Sequence, residues 1–210
     1  MPNRIFVQTA LLIIVVSFLN GCAFFPKNKV PNVGDISSLG TNLKEKPVIF
    51  LDYKRLAGKP NENARQLDVS QIENEYIFNI LKNSRLFSEV IFDEYKKDKA
   101  DFTVEIYAYE YQTNPGMGII KAIITGASLM LIPTAYDFMY ITNTRIIDKQ
   151  GRMIYEYRNE DGITWWMGIF FLPFGDKGLN RDYVVSNLVK DSLSHLSNSI
   201  DYKLFISNNL

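Results

Sequence analysis

Reactive side chains are few in this 210-residue chain, which has one cysteine and one histidine. An internal disulfide and a zinc site of the usual Cys/His type are therefore both impossible. No Gly-x-Ser-x-Gly or His-Glu-x-x-His motif occurs. The histidine, His195, falls near the end of a predicted helix, where we expect it to face solvent or cap carbonyl groups. We expect a protein that is not an enzyme and that uses no metal or cofactor.

Carboxylates are scattered rather than paired along the chain. Acid–base chemistry needs two groups brought into reach by the fold, and sequence spacing alone places no such pair. The dispersed carboxylates considered are Asp52, Asp101, Glu105 and Asp161.

The lone cysteine, Cys22, follows a segment typical of a secretory signal. Arg4 is the only charge ahead of an apolar run over residues 5–19, which is shorter than the roughly 20 residues that a membrane-spanning helix needs. The sequence Leu19-Asn20-Gly21-Cys22 resembles the lipobox of bacterial lipoproteins. That resemblance implies cleavage between Gly21 and Cys22, acylation of Cys22 and, with no Asp after the cysteine, sorting to the outer membrane. An uncleaved N-terminal anchor helix is the alternative.

Charge and anchoring define the expected partners. Lys plus Arg and Asp plus Glu each number 23, so no basic excess favours nucleic acid. No polybasic patch supplements the anchor, and the acyl chains on Cys22 would hold the protein on the membrane. We expect a lipid-anchored protein of the bacterial cell envelope, on the outer membrane and facing the periplasm.

Two apolar segments form the most unusual feature of the sequence. The first covers residues 116–133, where Lys121 is the only charge, and the second covers residues 165–174. Neither is long enough to span a bilayer as a helix. The candidate contact residues in them are Ile119, Ile120, Ile123, Ile124, Leu129, Leu131, Trp165, Trp166, Phe170 and Phe171.

Three interpretations of these segments compete. They could pack as an extended core, dip into a membrane, or form a contact with a protein partner or a second copy. A lipid or small apolar ligand could also bind between them, with residues 116–133 and 165–174 lining the pocket.

Tyrosines give a second candidate surface. Alternation places Tyr107, Tyr109 and Tyr111 on one side of a predicted strand and Tyr155 and Tyr157 on one side of another. If these strands pair, the sheet carries an aromatic face that could bind sugar rings or a peptide. Filling of a half-exposed sheet face is the alternative.

Local patterns define the elements that would position these residues. Strands are predicted over 47–53, 86–92, 101–111, 136–147 and 152–158, the last two joined by a tight turn over 148–151. Ser70 and Glu73 form a capping box ahead of a helix whose apolar face carries Ile72, Tyr76, Ile77, Ile80 and Leu81. A last helix over 180–199 has an apolar stripe of Val184, Leu188, Leu193, Leu196 and Ile200.

The element order predicts an α+β fold. We expect a mostly antiparallel sheet of about five strands, two helices on one face, and the apolar insertions at one end. The stretch NSRLFSEVIF, residues 83–92, follows a helix and resembles the helix-to-strand segment of small periplasmic α/β domains. Examples are the N-terminal domain of the Tol translocation β-propeller protein and the curli-secretion lipoprotein.

Three regions follow along the chain. Residues 1–21 are the predicted signal peptide, residues 22–46 a lipidated cysteine with a flexible tether, and residues 47–210 a single domain. The expected role is non-enzymatic, binding a partner in envelope assembly, transport or maintenance.

Overall fold

Seven strands and three α-helices make up the regular structure of the residues that the computed structural model describes, 22–41, 43, 45–168 and 181–199. The strands are β1 (Cys22–Pro26), β2 (Val48–Ala57), β3 (Arg65–Leu67), β4 (Glu89–Ile91), β5 (Phe102–Gln112), β6 (Thr134–Asp148) and β7 (Met153–Met167). The helices are α1 (Gln71–Asn83), α2 (Pro115–Ala127) and α3 (Arg181–Asn198), and Glu94–Lys99 form a 3₁₀ helix. The predicted signal peptide, Gly21, Phe170, Phe171 and Ile200 lie outside the described residues.

The strands form one mixed sheet in the order β1-β7-β6-β5-β2-β3, with β4 also paired to β2. The α+β class is thus confirmed, but the sheet has seven strands rather than about five, and it is mixed, with two parallel pairings. β2 runs parallel to both β4 and β5, whereas β2–β3 and β1–β7 are antiparallel. The physical reason is α1, because a helix between two strands returns the chain so that they can run side by side in the same direction.

Contacts divide the described residues into two compact units. Unit 1 contains residues 22–27, 112–138 and 163–168. Unit 2 contains the described residues of 28–111, together with 139–162 and 181–199.

Unit 2 contains an apolar core between its strands and two helices. The predicted alternation in β5 is confirmed, since Phe102, Val104, Ile106 and Ala108 are buried and the intervening side chains are half-exposed. Helix α3 buries the predicted stripe as far as it is described. The core residues contributed by its two helices are Ile77, Ile80, Leu81, Val184, Val185, Leu188, Val189, Leu193 and Leu196. The predicted apolar residues Ile72 and Tyr76 of α1 are instead exposed.

Of the two bonds that the predicted capping box implies, the one to Ser70 is present, and the predicted turn between β6 and β7 is present too. Ser70 caps α1, because its hydroxyl oxygen accepts a hydrogen bond from the backbone N–H of Glu73 at 3.1 Å. The turn between β6 and β7 closes through a 3.0 Å bond from the Asp148 N–H to the Arg152 carbonyl oxygen. Gly151 has a φ of 78° there, a conformation that glycine adopts without steric cost.

The predicted tether over residues 22–46 is where the structure differs most from the sequence prediction. Cys22–Pro26 form β1, which pairs with Met167–Ile163 of β7 inside unit 1. In unit 2, the Val33 N–H donates to Asn187 Oδ1 at 2.7 Å, and Ile36 is buried. The Pro and Gly residues of this stretch predict a flexible chain. Strand pairing and these long-range contacts instead fix its position.

Gly40 is a point where this stretch packs closely within unit 2. Its N–H donates to the Ser84 carbonyl oxygen at 3.1 Å, and an added Cβ would lie 1.8 Å from the Arg85 carbonyl oxygen. No side chain fits there without moving backbone.

We predict that Gly40→Ala lowers the free energy of unfolding by about 1–3 kcal/mol, the usual cost of forcing extra atoms into a packed site. Urea denaturation would measure it. Gly34→Ala is the matched control, because nothing lies within 4 Å of its added Cβ. Equal stability of the two variants would show that the stretch around Gly40 is not packed as described.

Candidate functional site

Helix α2, within unit 1, exposes nearly all of its large apolar side chains. Ile124 is 40% exposed and Leu129, just past the helix, is 80% exposed, with the other apolar candidates between them. Two further residues that sequence reasoning did not single out, Met117 and Ile132, are also exposed. The predicted candidates in this set are Ile119, Ile120, Ile123, Ile124, Leu129 and Leu131. For this segment the structure is unlike an extended core.

The inner side of α2 is polar and small. Gly118 and Thr125 are its buried residues, and Lys121 is half-buried. The Thr125 and Thr134 hydroxyl oxygens lie 2.6 Å apart, and the Lys121 ammonium donates to the Ala135 carbonyl oxygen at 2.6 Å. These contacts attach the helix to the start of β6 through hydrogen bonds, so its apolar side chains are left on the outside.

The two ends of α2 are built from local signals. Pro115 occupies the first turn, where a missing backbone N–H costs nothing. After Ala127 the backbone turns left-handed at Leu129 and Met130, with φ values of 50° and 65°. The Met130 N–H then bonds the Thr125 carbonyl oxygen at 2.8 Å, which ends the helix and keeps Leu129 at the surface.

Trp165, a candidate from the second apolar segment, is half-buried in an aromatic cluster within unit 1. Its ring stacks with Phe24 of β1 at a centroid distance of 6.0 Å and lies 5.7 Å from Tyr136 and 6.2 Å from Phe138. Trp166 is also half-buried. Trp165 therefore packs within unit 1, and neither tryptophan is a fully exposed contact.

A polar group in unit 1 joins the residue after β1 to β6 and β7. The Lys27 ammonium lies 2.8 Å from the Asp137 carboxylate, which also accepts a 2.7 Å hydrogen bond from the Thr164 hydroxyl. The hydrogen bond from Lys27, and then that from Thr164, holds the pKa of Asp137 below its usual value. Nothing in the sequence signalled this group, because its members are far apart along the chain.

The predicted tyrosine surface is not assembled as one patch, because β6 lies between β5 and β7. Tyr155 and Tyr157 contact α3, through the Ser192 carbonyl oxygen at 3.4 Å and the Asp191 carboxylate at 3.1 Å. His195 is exposed and stacks on Tyr157 at a centroid distance of 4.2 Å. These two tyrosines lie on the helix-covered face of unit 2.

The tyrosines of β5 lie on the opposite face. Tyr53, which bonds Glu73 of α1 at 2.7 Å, is paired with Ile106. The odd-numbered tyrosines of β5 alternate with Ile106 and so point away from the helices. Tyr107 instead lies near two cations, since its ring centroid is 5.4 Å from the Lys54 ammonium and 5.8 Å from the Arg145 guanidinium. The set on this face is Tyr107, Tyr109 and Tyr111, each half-exposed.

Three of the four scattered carboxylates serve structural contacts. Asp52 pairs with Lys54 at 2.7 Å, Asp101 accepts the Val48 N–H at 2.9 Å, and Asp161 accepts the Lys29 N–H at 3.1 Å. Across the residues that the structure describes, no three Cys, His, Asp or Glu residues are grouped so as to hold a metal ion.

A half-buried ionic network in unit 2 joins α1 and α3 to the sheet. The Arg55 guanidinium binds the Glu110 carboxylate with distances of 2.8 and 3.3 Å, and the Arg181 guanidinium lies 3.1 Å from Glu73. Burial, followed by the nearby Glu73 charge, raises the pKa of Tyr53, so its hydroxyl stays protonated and donates to Glu73. Each charge has an opposite partner, which fits a structural role.

No family model matches this chain, and no curated protein matches it. Several solved structures are similar to it in part. One is the PelC dodecamer from Paraburkholderia phytofirmans, at 10% identity and a TM-score of 0.35, covering 70% of this chain and 85% of that one. Another is a putative neuraminyllactose-binding hemagglutinin homolog from Helicobacter pylori, at 10% identity and a TM-score of 0.40, covering 78% and 89%. At these values neither likeness carries an argument about function.

The hydroxyl pair that attaches α2 can be tested by substitution. Thr125 donates its single hydroxyl hydrogen to the Lys121 carbonyl oxygen at 2.9 Å, so Thr134 is the donor of the 2.6 Å bond to Thr125. We predict that Thr125→Val destabilises by about 1–3 kcal/mol, because the buried Thr134 hydroxyl loses its acceptor. Thr134→Val costs less, because Thr125 keeps its own bond.

Urea unfolding of the two single variants and the double variant would measure this difference. The double variant should be no less stable than Thr125→Val, because no orphaned hydroxyl remains. Additive losses would contradict the geometry.

The lowered pKa of Asp137 predicts an acid-sensitive contribution to stability. A carboxyl group whose pKa is lower in the folded state stabilises fully above its unfolded pKa of about 3.9, and this stabilisation is lost as the pH falls further, through the folded value. Urea unfolding of Asp137→Asn between neutral and strongly acidic pH should therefore show a shallower acid loss than the unchanged chain. Parallel profiles would contradict it.

Proposed function

We propose that this chain is a lipid-anchored lipoprotein of the bacterial outer membrane, exposed to the periplasm. Its signal segment, residues 1–21, is removed and Cys22 carries the acyl chains. Its role is non-enzymatic, associating through the exposed face of α2 with another component of the envelope during assembly, transport or maintenance.

The observation that carries this proposal is the exposure of α2. A folded soluble protein rarely leaves a contiguous apolar patch of this kind uncovered, and such patches mark contacts with proteins or membranes. The face belongs to the same compact unit as β1, which begins at Cys22. An acylated Cys22 would therefore keep this unit at the membrane, beside the envelope components that it meets.

Surface contact is favoured over a ligand pocket between the insertions. The apolar residues of α2 point outward from a convex helix, where they offer contact area but do not surround a small molecule. An enzymatic role has no support from Asp52, Asp101 and Asp161, which are engaged in the contacts given above.

Two substitutions test the proposal in cells of a Gram-negative host. Cys22→Ser should abolish acylation, measured by intact mass, and shift the protein out of the outer-membrane fraction. Ile124→Asp should leave acylation intact but reduce contact of α2 with other envelope components at least several-fold, measured by chemical cross-linking to proteins and photo-cross-linking to lipids. Both expectations follow because one residue supplies the anchor and the other the contact.

Ile72→Asp is the matched control, because Ile72 is also an exposed helical isoleucine but belongs to unit 2. An unacylated Cys22 in the unchanged chain would refute the anchoring role. Equal effects of the two Asp variants would refute the role of α2.

A further inference from the structure

We infer that α2 lies in the interfacial layer of the lipid bilayer that holds the acyl chains of Cys22. In this arrangement the outward isoleucines sit among the lipid headgroups and the upper acyl chains, and the bilayer is the first envelope component that α2 contacts. This placement rests on the acylation of Cys22 that is proposed above.

The exposed surface of α2 has the composition that a lipid contact requires. Every exposed residue within Pro115–Ala127 is apolar, namely Pro115, Gly116, Met117, Ile119, Ile120, Ala122, Ile123, Ile124, Gly126 and Ala127. Contacts between proteins are enriched in aromatic residues and arginine and include about one hydrogen bond per 100–200 Å². This face offers neither, and a bilayer needs neither.

The width of the face also favours a bilayer. At about 100° per residue, the exposed positions of α2 cover an arc of roughly 220° around the helix axis. An interfacial helix is surrounded by lipid over such a broad arc, whereas a groove in a partner protein covers a narrower stripe.

Lys121, the only charged residue of α2, does not lie on the exposed apolar face. Lys121 is half-buried and donates to the Ala135 carbonyl oxygen, with its ammonium 5.8 Å from the centre of the Tyr136 ring. Lipid contact therefore requires no dehydration of an exposed charge. In an isolated interfacial helix the polar side faces water, whereas here the start of β6 takes that place.

The position of Cys22 supplies the second argument. Its backbone is paired with Met167 in β1–β7, so the acylated residue begins a strand of unit 1 rather than a flexible tether. A short chain of contacts leads from there to α2. Phe24 stacks on Trp165, Trp165 meets Tyr136, and the Tyr136 hydroxyl donates to the Gly118 carbonyl oxygen at 3.4 Å.

These contacts set the distance between the anchor and the bilayer contact. Cys22 and Phe24 are two strand residues apart, about 7 Å along the chain. The acylated Cys22 and α2 thus belong to the same small unit. The anchor therefore keeps α2 within reach of the bilayer surface. The 13 residues of α2 span about 20 Å, which suits a helix lying along the surface. Among the described helices, none has the length and apolarity to cross a membrane.

The test uses the full chain, processed in a Gram-negative host and reconstituted into vesicles of phosphatidylethanolamine and phosphatidylglycerol. Cys22 is the only native cysteine, so once acylated it leaves an introduced cysteine as the single free thiol. Ile123→Cys is labelled with a bimane fluorophore, and Ile72→Cys on α1 is the control. Quenching by lipids brominated along their acyl chains and by aqueous iodide is measured for both, after circular dichroism has shown matching spectra.

At position 123 we expect quenching by brominated lipid several-fold stronger than at position 72, and correspondingly weaker quenching by iodide. Equal iodide quenching at the two positions would overturn the bilayer placement. Protection of position 123 from both quenchers would also overturn it, in favour of a second copy or a protein partner, while leaving the proposed function standing. An unmodified Cys22 by intact mass would overturn the proposed function itself.

Discussion

The hydroxyl pair between Thr125 and Thr134 determines which way α2 faces. Its oxygens are 2.6 Å apart and buried, and a buried hydroxyl that lost its partner would be costly. Gly118 and Lys121 complete the same inner side, so the helix is attached by hydrogen bonds from polar side chains and to the Gly118 carbonyl oxygen. Because these residues occupy the contact with β6, the isoleucines of α2 cannot turn inward without breaking it. The exposed apolar surface is a direct consequence.

Much of unit 2 could be read from the sequence because its signals are local. Alternation in β5, the cap at Ser70, the turn over 148–151 and the buried stripe of α3 each depend on a few neighbouring residues. Strand pairing depends on residues far apart. The parallel partners of β2 and the pairing of β1 with β7 were therefore not predictable from local patterns, and the apparent tether contains a strand.

The candidate site was predictable in composition but not in orientation. Apolarity over residues 116–133 is plain in the sequence, and its isoleucines were named as contacts. A helix with a single lysine would ordinarily turn that lysine to solvent, yet Lys121 finds a carbonyl acceptor at Ala135, a partner that local spacing does not reveal. The prediction that the tyrosines of β5 and β7 form one surface was wrong for the same reason. Local patterns do not reveal that β6 lies between these two strands in the sheet.

The polar attachment of α2 has a thermal consequence. Apolar burial weakens on cooling, and separating apolar surfaces raises the heat capacity, whereas exposing polar surface lowers it. The inner side of α2 is made of Gly118, Lys121 and Thr125, so detaching the helix exposes little apolar area from this side. The attachment of α2 should then have a much smaller heat-capacity change per residue than the core around Leu188. Cooling would therefore weaken the apolar packing in the core of unit 2 more, per residue, than the polar attachment of this helix.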